Sequence, residues 1–207
     1  MKVLTFVLGD FATNCYLAIH ENTKKACLID PAIYDAEIIN AINSEGVTLE
    51  YIILTHGHID HILDANIFKE KTGAKIAAHK VEMEYLKDPS KSLTSLYGGK
   101  TITVDKYIKE NDELIFGDIS LCVIHTPGHT RGSCCFACEN ENVMFTGDTL
   151  FNGSIGRCDL YGGDYDTMLL SLRKLKSLNQ NYTVYPGHGD STTLDDEKAN
   201  NTYLMQA

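Results

Sequence analysis

The 207-residue chain has no concentration of basic residues: 18 Lys and Arg stand against 28 Asp and Glu, a formal charge of −10. Proteins that track phosphate backbones carry a basic stripe or patch, so neither nucleic acid nor an anionic membrane surface is expected as a partner. Proline is scarce, with four residues. No Pro/Ser-rich linker, low-complexity tract or solenoid-length repeat interrupts the sequence, and residues 1–207 are expected to form one domain. No apolar run approaches bilayer-spanning length. The opening segment Met1–Asp10 has only a brief apolar stretch, broken by Gly9-Asp10 without a small-residue cleavage pattern, and reads as a strand and turn rather than a leader. A disulfide framework is also missing: the seven cysteines are odd in number and irregularly spaced, which suits a reducing cytoplasm. With 43% apolar and 22% charged residues, the composition is that of an ordinary soluble globular protein.

What the chain does have is the run Thr55-His56-Gly57-His58-Ile59-Asp60-His61, directly after the apolar stretch Tyr51–Leu54. Imidazole and carboxylate are the usual ligands of zinc, iron and manganese. Gly57 relieves crowding, and the alternation of His56 and His58 aims two rings from one extended segment toward the same side. A lone histidine would read as a surface or core residue. Three with an aspartate behind a buried strand read as a metal site.

Around this run the pattern is mixed. Short apolar runs separated by turn signals at Gly9-Asp10 and Glu21-Asn22 predict three antiparallel strands up to Pro31. Asp35 caps a helix in which Ile38, Ile39 and Ile42 recur at helical spacing before Gly46 stops it. A second helix is expected to continue from the histidine run through Ile62, Ala65, Asn66 and Lys69 to Gly73, with Asp60 near its start. Residues 81–87 suggest a short helix, and 88–99 a polar loop long enough to lie over a pocket. Residues 112–124 read as a hairpin, and further strands are expected at 133–138 and 142–145. Asp166 is the expected cap of an amphipathic helix bearing Met168, Leu169, Leu172, Leu175 and Leu178, a stripe read as core packing. Such alternation indicates an α/β protein whose sheets are covered by helices.

The grammar of the histidine run recurs three times: an apolar strand ends, a tight Gly-containing turn follows, and a metal-binding residue appears. The instances are Val123–His129, Met144–Asp148 and Val184–His188. Each turn alone is common chain reversal. Together they add His129, Asp148 and His188 to His56, His58, Asp60 and His61, enough for two metals sharing one carboxylate.

The motif His56-x-His58-x-Asp60-His61, followed in order by His129, Asp148 and His188, resembles that of the metallo-β-lactamase superfamily over essentially the whole chain. The resemblance implies a four-layer αββα sandwich with its active site at one edge of the two sheets. It implies two divalent ions, with zinc expected and iron or manganese compatible. His56, His58 and His129 would hold the first, Asp60, His61 and His188 the second, and Asp148 would bridge them. Asp30 would support the ligands from behind, unless it serves only as a turn former. A narrower stretch, Gly147–Asp159 with Ser191–Lys198, resembles the glyoxalase II-like branch. Two departures stand out: Cys158 where that branch often has Thr, and an end at Ala207 without the added helical region that contacts glutathione there.

The expected chemistry is hydrolysis of a small-molecule thioester, such as S-lactoylglutathione, by a metal-bridging hydroxide that Asp60 orients as catalytic residue. The alternatives are a persulfide dioxygenase using one iron on His56, His129 and Asp148, and a lactone or phosphoester hydrolase on the same scaffold. Other conspicuous residues take plainer readings. Cys135-x-x-Cys138 lies within a strand and reads as structural, His20 and His79 are isolated, His125 reads as a hydrogen-bonding neighbour of the site, and Tyr161 borders the pocket.

Overall fold

A computed structural model describes residues 1–207. The three expected antiparallel strands are β1 (Lys2–Leu8), β2 (Thr13–His20) and β3 (Lys25–Ile29). In α1 (Ala36–Glu45), Asp35 Oδ1 accepts the Glu37 amide at 2.8 Å, and Gly46 ends the helix at φ +64°. That pairing of a carboxylate at one end with a left-handed glycine at the other satisfies backbone groups the helix leaves open. The chain then enters β4 (Thr48–Leu54), parallel to β3, and reaches the histidine run at its C-terminal end.

The helix expected from that run to Gly73 is two helices, α2 (Ile59–Ile62) and α3 (Ala65–Thr72). Asp64 separates them. Its amide donates to Ala32 O, while its carboxylate accepts the Tyr34 amide and pairs with Lys100, so the joint is held by residues 30 or more positions away. Two strands without a sequence-based expectation, β5 (Lys75–His79) and β6 (Lys106–Ile108), complete the sheet in the order β1-β2-β3-β4-β5-β6. Between them, a tight turn at Lys80–Glu82 and α4 (Met83–Leu86) occupy the short-helix region, and 88–99 is a loop containing one helical turn, Thr94–Tyr97.

The second sheet contains the expected hairpin β7 (Glu113–Phe116) and β8 (Ile119–His125), then β9 (Cys134–Cys138) and β10 (Val143–Gly147). A small separate hairpin, β11 (Leu150–Phe151) and β12 (Ser154–Ile155), precedes α5 (Tyr165–Lys176). The cap of α5 is Asp164 rather than Asp166: Asp164 Oδ1 accepts the Thr167 amide at 2.7 Å, and Asp166 lies inside the first turn. β13 (Thr183–Pro186) runs parallel to β10, and β14 (Thr192–Thr193), α6 (Leu194–Asn200) and α7 (Thr202–Gln206) follow, giving the order β14-β13-β10-β9-β8-β7.

Both sheets are mixed, and three apolar clusters separate four layers. Between the sheets lie Tyr16, Ile29 and Ile53 from one side and Phe116, Phe136 and Phe145 from the other. Behind the first sheet, Leu17, Leu28 and Ile52 pack on Ile38 and Phe68 of the helices. Behind the second, Met144 and Val184 pack on Met168, Leu172 and Leu175 of α5 and on Leu194 and Leu204. Burying each large side chain contributes about 1.5–3 kcal/mol. The architecture is thus the helix–sheet–sheet–helix sandwich expected. All seven cysteines are free. Cys135 and Cys138 enter different apolar clusters, one on each side of β9, so their spacing serves packing. No helix is long and apolar enough to cross a membrane.

Candidate metal centre

Five of the seven candidate ligands sit in the turns that follow β4, β8, β10 and β13, Asp60 and His61 lie in α2 just beyond the β4 turn, and the fold brings these ends together. His56, His58 and His129 form one group whose ligand atoms lie within 4.8 Å of each other; Asp60, His61 and His188 form another, and His56, His61 and Asp148 a third. The nitrogens converge tightly. His58 Nδ1 is 2.8 Å and His56 Nε2 is 3.2 Å from His129 Nε2, and His61 Nε2 is 3.3 Å from His188 Nε2. Asp148 lies between the groups, with Oδ1 3.3 Å from His61 Nε2 and Oδ2 3.5 Å from His129 Nε2 and 3.6 Å from His188 Nε2. Asp60 Oδ2 is 3.3 Å from His188 Nε2. Gly187 permits this closeness: a Cβ there would strike Asp148 Oδ1 and stand 2.8 Å from His61 Cε1.

Except in His58, whose Nε2 is buried without a partner, the outward ring nitrogens are spoken for, which orients the inward ones. His129 Nδ1 donates to Arg157 O at 2.7 Å and His188 Nδ1 to Phe11 O at 3.1 Å. His61 Nδ1 donates to Asp30 Oδ2 at 2.9 Å. Asp30 also accepts the Thr55 amide at 2.8 Å and the Thr55 hydroxyl at 2.6 Å, and Thr55 Oγ1 in turn stands 3.1 Å from His56 Nδ1. One carboxylate therefore fixes His61 directly and His56 through Thr55, leaving Nε2 of each aimed at the centre. Asp30 is 1% exposed and holds φ +50°, an uncommon backbone conformation for a residue with a side chain. It is more than a turn former.

The electrostatics suit a cation. Burial and the neighbouring imidazoles hold His56 well below the usual imidazole range, and burial with His129 pulls His58 down to about 3. Burial opposes a charge on His61 and His188 too, but Asp148 and Asp60 overcome it and raise both. Burial would likewise raise Asp148 and Asp60, yet the histidines keep both below the usual carboxylate range. Asp148 Oδ1, moreover, is buried without a hydrogen-bond partner. Inward-facing nitrogens, ionised carboxylates and an unpartnered carboxylate oxygen form a donor set that two divalent cations would satisfy.

The centre opens into a cavity of about 470 Å³ walled by Phe11, Leu93, Leu96, Phe151 and Leu160, with Arg157 its single cation. Arg157 is paired bidentately with Asp159 at 2.6 and 2.7 Å. Leu93 and Leu96 come from the loop expected to lie over a pocket. Cys158 points its Sγ toward Gly156 O at 3.6 Å. Tyr161 stands at Glu84 and Arg131. His79 is not isolated: it stacks on His125, centroids 4.1 Å apart and planes at 15°. His125 Nε2 meets Arg131 O at 3.0 Å, bracing the loop that bears His129 rather than a candidate ligand. His20 pairs with Thr23 at 2.7 Å, away from the centre. Sequence reasoning missed Thr130 and Glu82, single polar residues without a local pattern, and the role of Thr55 within the run. Glu82 is 1% exposed, and burial pushes its carboxyl up to about 7 against the pull of hydrogen bonds from Thr130 and Gly132 to Oε1, while Oε2, facing Gly57, has no hydrogen-bond partner.

The pattern of the metallo-beta-lactamase superfamily matches residues 8–188, and the chain belongs to that superfamily. With its histidine- and aspartate-rich centre it is of the metallo-hydrolase class. It is 34% identical over 209 residues to a protein of Haemophilus influenzae named hydroxyacylglutathione hydrolase GloC, covering 99% of this chain and 98% of that one. Among solved structures it matches the BLEG-1 B3 metallo-beta-lactamase with a TM-score of 0.91 and 33% identity, over 98% of this chain and 99% of the other. It also matches TTHA1623 in a di-iron-bound form with a TM-score of 0.84 and 30% identity, over 97% and 100%.

Proposed function

We propose that the protein is a binuclear metal-dependent thioester hydrolase acting on hydroxyacyl-thiol conjugates such as S-lactoylglutathione. The observation that carries this reading is the pair of three-residue groups facing the same Asp148. His56, His58 and His129 would hold one ion, Asp60, His61 and His188 the other, and Asp148 would face both. Zinc is the expected metal, and the di-iron form of TTHA1623 makes iron the first alternative. Bound ions supply Lewis acidity and bring a water toward ionisation near neutral pH.

The chain's own residues do the rest. Asp60, ionised at the cavity wall, is placed to accept a hydrogen bond from the attacking water and orient it toward a carbonyl. Asp30 and Thr55 hold the rings of His61 and His56 in one orientation throughout. The apolar walls exclude bulk water around the acyl group. A thiolate leaves readily because thiols ionise near pH 8.5, so no strong general acid is required. The name of the Haemophilus protein, aligned over 98% of its own length, supports a glutathione thioester for a chain of this extent.

The test is hydrolysis of S-lactoylglutathione by protein reconstituted separately with zinc, iron or manganese, with Asp60→Asn as control. Rapid hydrolysis lost in the variant is expected. No hydrolysis with any metal, together with oxygen uptake on a glutathione persulfide by the iron form, would overturn the reading in favour of one-iron oxygen chemistry on His56, His129 and Asp148.

A further inference from the structure

The turn at Lys80–Glu82 buries a carboxylate where an apolar side chain would be expected. Oε1 of Glu82 accepts the Thr130 hydroxyl and the Gly132 amide, both at 2.7 Å. These residues immediately follow His129. On its other side, Glu82 lies against the backbone of Gly57, between His56 and His58: a Cβ there would stand 2.8 Å from Glu82 Oε2 and 2.6 Å from Tyr85 Cβ. Gly132 is packed as closely, since a Cβ on it would come within 2.7 Å of Glu82 Oε1. Both glycines are thus required for the loops to close on this carboxyl. Burying a carboxyl group carries a cost that packing with a similar-sized apolar residue would avoid. What it gains here is a tie between two loops separated by more than seventy residues, which together supply all three histidines of one group and none of the other.

We propose that Glu82 is a positioning residue for the His56–His58–His129 group: by fixing the Gly57 loop against the Thr130–Gly132 loop, it sets how tightly that group holds its ion. This inference rests on the two-ion reading above. It assigns Glu82 no contact with metal or substrate. Its effect is selective, because His61 and His188 are held through Asp30, Phe11 and the β13 turn instead, and Asp60 pairs with His188.

The test is equilibrium binding of zinc against a competing chelator, read as affinity and stoichiometry rather than turnover. Glu82→Ala is placed in two backgrounds, His188→Ala, which leaves the Glu82-linked group, and His58→Ala, which leaves the other. The expected result is a loss of about tenfold to a hundredfold in the first background and none in the second. Glu82→Gln, which keeps the acceptor oxygen for Thr130 and Gly132, should restore most of the affinity. Thermal unfolding of the metal-free variants separates this from a general packing role, which would weaken both backgrounds alike. Equal weakening, or no weakening, overturns the inference. If Glu82→Ala does not fold, Thr130→Val, which removes one of the two hydrogen bonds, carries the same comparison with the same two outcomes. Wild-type protein that binds fewer than two ions overturns the two-ion reading itself and the inference with it.

Discussion

The two halves of the candidate centre differ in how they would meet a cation. His56, His58 and His129 are 1%, 3% and 3% exposed, sit among other imidazoles, and in His56 and His58 are held neutral by burial. The half made of His61, His188 and Asp60 is partly open, with the His188 and Asp60 side chains 27% and 18% exposed, and its histidines are raised by the surrounding carboxylates. One half is preset with free lone pairs. In the other, the carboxylates favour a proton where a cation would go. The difference teaches that a single centre can pair a buried, prepared half with a more open one at the cavity mouth, and Asp148 is the group that faces both.

The largest expected effect comes from removing that shared group. Asp148→Ala should weaken metal binding in both halves and reduce thioester turnover by at least about a hundredfold, as read by chelator competition and steady-state kinetics. Loss from one half alone would break the account of Asp148 as common to both. Next is the Asp30 relay. Asp30→Ala should lower affinity in both halves by about tenfold to a hundredfold, because it releases His61 and, through Thr55, His56. Thr55→Val should affect only the His56 half, and less. Equal losses in both halves for Thr55→Val would contradict the relay.

Proton release sharpens the comparison without a change in fold. An imidazole whose proton affinity is raised in the folded protein keeps its proton below that raised value and gives it up as pH rises, so metal competes with protons at His61 and His188 more than at His56 and His58. His56 and His58, lowered, have none to give. Calorimetric titration of His58→Ala and His188→Ala in two buffers of different ionisation heat should show more protons released by the former, and tighter binding to it as pH is raised toward 8. The smallest effect lies in a helix cap. Asp164→Ala should cost about 1 kcal/mol, seen as a fall of about 2–4 °C in Tm, whereas Asp166→Ala should stay within about 0.5 kcal/mol.

The last pair shows where the sequence was ambiguous. Asp164 and Asp166 are equally good caps by type. Asp164 is chosen because its amide also meets Gly128 O at 2.9 Å, tying α5 to the turn before His129. The split between α2 and α3 has the same origin, in the ties of Asp64 to Ala32, Tyr34 and Lys100. By contrast, α1 was legible from end to end because both of its caps are local. The seven candidate ligands were legible because four lie within six positions and the others follow Gly-containing turns, and the structure brings all seven together. Glu82 was invisible for the opposite reason: its partners are 48 and 50 residues away, and nothing in its own neighbourhood marks it; Thr55 stood in the run, but its tie to Asp30, 25 residues away, did not show. β5 and β6 went unassigned because runs of five and three residues are too short to show a period.

The central claim, two cooperating ion sites around Asp148, is tested most directly by counting metal in the protein after saturation and removal of excess zinc, for wild type, His58→Ala and His188→Ala. The account predicts two ions per chain in the wild type and one in each variant. A single ion in the wild type, retained undiminished in His188→Ala, would contradict it.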